Sequence, residues 1–183
     1  TIRLFYYLEF IGGVFVAPFL FLFVLRYSDQ TQLINKFLER LLFACSAFFL
    51  AMVLTNESHG LFYGSVSAQN NGYFLAVELE KGIFHWLYAS YNSLLIIAAN
   101  ILLVRMLFSV PDLYKGQVLI MLFGTLIPWL AYILVVFGNY PFGLDPVPFF
   151  LAVSAIVLFW ALYKYRLFRT NPIAFKTIFE KIS

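Results

Sequence analysis

Two histidines, nine carboxylates and a scatter of amides and phenols carry most of the reactive chemistry in this chain. His59 and His85, with Glu57, Glu78, Glu80 and Asp145, are of types that zinc accepts. No H-x-x-x-H or C-x-x-C spacing gathers them, so no metal site is expected. No nucleophile–base pair or Gly-rich phosphate loop points to catalysis, and no cofactor is expected. Glu9 is the sharpest case, because it interrupts an apolar run. A carboxylate there must be paired, protonated or near water. Three readings follow: an interhelical hydrogen bond to a Tyr or His, a ligand or proton site, or a side chain reaching for the interface.

Taken as helices at about 100° per residue, the apolar runs sort their polar residues into stripes. Tyr6, Glu9, Gly13 and Ala17 share one face, as do His85, Tyr88 and Asn92, and again Thr125, Pro128, Tyr132 and Asn139. Polar residues are costly in lipid, so each stripe is expected to face a bundle interior. The stretch LTNESHGLFYG, 54–64, turns abruptly polar at Thr55, Asn56 and His59. It reads either as a helix end at the membrane surface or as a lid over something bound.

The elements that position these residues follow from composition. Hydrophobic residues make up 63% of the 183, charged residues 11%, and mean hydropathy is +0.88. This is an integral membrane composition, all-α, because lipid forces backbone groups to bond within each segment. The period-two strands of a barrel are absent. Five spans are expected, at 4–25, 37–55, 83–105, 117–138 and 147–164, each of a length suited to ~30 Å of hydrocarbon. Membrane lipid is thus a partner. The net charge of +3 comes with no basic run, so nucleic acid is not expected. Cys45 is the only cysteine, which rules out a disulfide within the chain.

Ten of the twelve Lys and Arg fall in 26–40, 105–116 and the tail, leaving Arg3 and Lys81 on the other side. The positive-inside rule then predicts the N-terminus of this chain outside and the C-terminus in the cytoplasm. Residues 56–82 lie outside and are expected to form a short helix or re-entrant turn on the bundle. The loop 139–148 lies on the same side, stiffened by Pro141, Pro146 and Pro148. Pro18 and Pro128 are expected to kink their helices.

Several of these residues together resemble a known family. They are Pro18 with the aromatic run ending Leu25-Arg26-Tyr27, Thr55-Asn56 with His59 and Leu61, and the group Trp86, Tyr88 and Tyr91. Pro128, Gly143-x-Asp145-x-x-Pro148, and Leu167-Phe168 with Pro172 and Ala174 complete the set. The chain resembles the N-terminal seven-transmembrane region of bacterial sensor histidine kinases, a region also found on diguanylate cyclases. Val147 stands where the family tends to have Thr, so a hydroxyl contact there is not carried over.

The resemblance implies a sensory input domain of the bacterial inner membrane, with residues 1–168 as five of the family's seven helices. It implies two further helices upstream of Thr1, a cytoplasmic linker helix over 169–183, and a kinase or cyclase output beyond it. It also implies a homodimer through the full-length protein, and no catalysis by this fragment. An unknown small or membrane-borne ligand is expected among Tyr6, Glu9, Thr55, Asn56, His59, His85, Tyr88, Asn92, Pro128, Tyr132 and Asp145. The alternative is a small transporter or channel, which kinked helices with polar stripes also suit. Visible inverted repeats are lacking, and flux in liposomes would discriminate the two.

Overall fold

The computed structural model of the chain describes residues 2–70, 75–137 and 147–165. Five long helices dominate: α1 (Ile2–Tyr27), α2 (Lys36–Leu54), α4 (Ile83–Ser109), α5 (Asp112–Val136) and α6 (Val147–Tyr165). A short helix α3 (Asn56–His59) and two strands, β1 (Tyr63–Asn70) and β2 (Leu75–Lys81), lie between α2 and α4. The first four long helices contain runs long and apolar enough to cross a membrane. The fifth expected span is also helical; its 19 residues rise ~28 Å.

Local chemistry sets the helix ends. Asn35 caps α2, its Oδ1 accepting the Leu38 N–H at 2.7 Å. Arg26 bridges α1 to α2 through Glu39 at 2.9 Å. The α5 helix begins at Asp112, earlier than the expected 117. Pro111 precedes it and Asp112 sits in the first turn, where a negative charge meets the positive end of the helix. The α4 helix likewise runs on to Ser109, past the last residues of the apolar span. Interfacial residues thus continue helices that hydropathy alone ends sooner.

The long helices pack in the order α2–α1–α4–α5–α6, each on the next. Near the end of the bundle opposite the strands, Val24, Leu103, Met106, Val118 and Met121 form one core between α1, α4 and α5. At the strand end a second core joins Val14, Phe49, Val53, Phe62 and Tyr88. Large apolar side chains such as Leu94, Phe108, Phe159 and Tyr163 point outward, as lipid requires.

Both prolines leave the same mark. A proline inside a helix has no N–H for the carbonyl four residues earlier. For Pro18 that carbonyl is Val14 O, and the buried Ser46 hydroxyl of α2 donates to it at 3.0 Å. For Pro128 it is Gly124 O, and the buried Ser154 hydroxyl of α6 donates to it. Two serines from neighbouring helices thus satisfy the two carbonyls that the prolines free, as a low-polarity surrounding demands.

Residues 56–82 differ in part from expectation. The short helix is there, but the rest is an antiparallel hairpin, not a re-entrant turn. Its register pairs Tyr63 with Lys81, Ser67 with Glu78 and Asn70 with Leu75.

Candidate functional site

Asn56 organises the entry to the hairpin. Its Oδ1 accepts the Phe62 N–H at 2.8 Å and the Tyr63 N–H at 3.1 Å, while its Nδ2 donates to Tyr63 O at 3.0 Å. The chain can turn back there because Gly60 takes φ +60, a left-handed conformation that glycine adopts without strain. Gly82 closes the other side. Its N–H donates to Phe62 O at 2.9 Å, and a Cβ at this position would overlap the Leu61 carbonyl. The result drives Phe62 into the bundle, where it is fully buried.

Around Phe62 stand the rings of Phe10, Tyr63, His85 and Tyr88, with centroids 5.0 to 5.9 Å away. The rings of Tyr63 and Trp86 lie 5.2 and 6.2 Å from that of His85. His85 is only 6% exposed, and neither ring nitrogen has a hydrogen-bond partner among the described residues. Leaving a buried polar atom unpaired costs ~1–3 kcal/mol, and most proteins avoid it. An uncharged imidazole here offers one N–H and one lone pair to an incoming molecule.

The other sequence-derived candidates divide. Tyr88 and Asn92 are buried with His85 along α4, and the Asn92 amide donates to Tyr88 O within the same helix at 3.0 Å. Pro128 is buried and Tyr132 half-buried on α5. Thr55 and His59 form a separate surface pair. The His59 Nδ1 accepts the Leu61 N–H at 2.9 Å, so its proton is assigned to Nε2, which faces Thr55 Oγ1 at 3.2 Å. The Thr55 hydroxyl in turn donates to Ala51 O at 2.7 Å. Tyr6 and Glu9 belong to α1, but their side chains lie outside those described, and Asp145 lies outside the described residues. No three His, Cys, Asp or Glu among the described residues gather as metal ligands.

Three residues absent from the sequence-derived site matter to it. Phe62 is the ring at its centre. Gly82 permits the close crossing. Lys81, at the foot of β2, donates to Val135 O at 2.9 Å and Val136 O at 2.5 Å, the last carbonyls of α5. A cation at a helix C-terminus meets the negative end of its dipole. Burial holds the Lys81 pKa below the ordinary lysine range. The ammonium also lies 6.0 Å from the Trp86 ring. The hairpin signal was present in the sequence as Asn71-Gly72 between two alternating stretches.

The family model described as the N-terminal 7TM region of histidine kinase matches residues 1–172. No curated protein and no solved structure matches the chain significantly.

Proposed function

The chain belongs to this family, a membrane sensory region of histidine kinases that is not itself the catalytic part, and on that footing we propose how it senses. The hairpin end binds a small or membrane-borne, partly apolar molecule, and His85 is the group that recognises it by hydrogen bonding. The observation carrying this reading is the buried His85 ring, ringed by aromatics and lacking partners for both nitrogens among the described residues. Asn56 and Gly82 hold Phe62 and Tyr63 against that ring, so the hairpin forms part of the binding wall.

In this proposal the hairpin end faces outward across the bacterial inner membrane and the tail faces the cytoplasm. The distribution of basic residues supports that orientation. Binding favours one arrangement of the helices over another, and a cytoplasmic kinase or cyclase, dimeric in the full-length protein, reads the difference. The test uses that protein, challenged with fractions of spent medium and membrane extract. His85→Phe is expected to raise the half-effective amount of an active fraction about tenfold, the equivalent of one lost hydrogen bond. His59→Ala should leave it unchanged. An unaltered response in His85→Phe would remove the histidine from the site.

A further inference from the structure

The α5 helix is held differently on the two sides of Pro128. Beyond the proline, toward the hairpin, Trp129 Nε1 donates to Ser93 Oγ of α4 at 3.3 Å, and Lys81 grips the Val135 and Val136 carbonyls. Before the proline, Thr125 Oγ1 donates to Asn100 Oδ1 of α4 at 2.8 Å, and Ser154 of α6 donates to Gly124 O. The Ser154 bond falls on the one carbonyl that Pro128 frees, where α5 has lost an internal tie and bends most readily.

We propose that Lys81 and Ser154 are the two positioning residues of a relay through α5, with Pro128 as its pivot. Lys81 fixes the outer segment of α5 to the foot of the hairpin. A change at the hairpin therefore swings that segment. Because Ser154 ties α6 to the pivot, the swing passes to α6, the last described helix. This rests on the sensory reading above, yet it is tested without any ligand. Failure here would leave ligand recognition by His85 standing, and failure of His85 would leave this relay standing. The ends of the relay lie far enough apart for independent substitutions to add. About twelve residues of helix separate Gly124 from Val136, ~18 Å, so a departure from additivity reports coupling.

The experiment measures one distance in the whole chain, in lipid nanodiscs. Spin labels go on Phe108→Cys and Tyr163→Cys in a Cys45→Ser background. Both side chains are more than four-fifths exposed, at the ends of α4 and α6 away from the hairpin. Lys81→Met is expected to shift the mean label separation by ~2 Å, the scale of helix shifts in switching proteins. Lys81→Gln should give a smaller shift in the same direction, and provides the perturbation if the Met variant does not insert. Lys81→Arg should keep the wild-type distance. In a Ser154→Ala background the Lys81 substitutions should lose most of their effect. Equal shifts in both backgrounds, no shift in either, or an Arg variant displaced as far as the Met variant would each overturn the relay.

Discussion

At the scale of single residues, Asn56 and His59 are committed to backbone and neighbouring side chains while His85 is not, and that difference separates architecture from recognition. Asn56 spends three hydrogen bonds on the backbone of Phe62 and Tyr63. Asn56→Ala should therefore lower stability by ~2–3 kcal/mol, because it strands buried N–H groups as well as losing bonds. Asn56→Asp retains the accepting oxygen and should lose less. Unfolding of both variants in mild detergent checks the order, and a silent Ala variant would refute it. Asn56 was legible in the sequence as a polar break after an apolar helix, but its use was not. Nothing in the local pattern says that its amide reaches six and seven residues ahead. His85 was legible for the opposite reason: a histidine within an apolar run stands out whatever its partners. The fully buried Phe62 gave no such signal, since 23 phenylalanines compete for attention in this chain.

At the scale of elements, the helices were plain from hydropathy, and their pairing was not. Ser46 and Ser154 each stand as a small polar residue in an apolar helix, and Pro18 and Pro128 each interrupt another. Only the packing of α2 on α1 and of α6 on α5 joins serine to proline-freed carbonyl. This makes a coupled prediction. Ser154→Ala should cost ~1 kcal/mol, within the range of interhelical hydrogen bonds in membranes. In a Pro128→Ala background the restored N–H of residue 128 satisfies Gly124 O, and the same serine change should cost markedly less. A double-mutant cycle of unfolding free energies reads the difference directly. Additive losses would mean that the serine bond and the missing N–H are unrelated. The hairpin was missed for a different physical reason. The Asn71-Gly72 signal was there, but the apolar residues Leu61, Phe62 and Tyr63 ahead of it fit a helix lying on the bundle as readily as the start of a paired strand.

At the scale of the whole molecule, the described residues of this membrane sensory region form a row of five long helices with a hairpin at one end. Composition made the membrane class legible and the spacing of apolar runs made the long helices legible, since lipid admits few alternatives. The order in which those helices pack depends on side-chain contacts between distant segments and was not legible. Recognition of a molecule at the hairpin end through His85 can be tested on the histidines themselves. With His59 and His85 as the only histidines, a chain labelled with ¹⁵N at histidine gives two imidazole patterns, and His59→Gln assigns them. The measurement is the nitrogen spectrum of this chain in nanodiscs before and after addition of small-molecule and lipid extract from its native cells. The His85 ring nitrogens should shift as they gain partners, while those of His59, held by Leu61 and Thr55, should not. Extract that drives the full-length protein's response yet leaves the His85 nitrogens where they were would contradict recognition through His85.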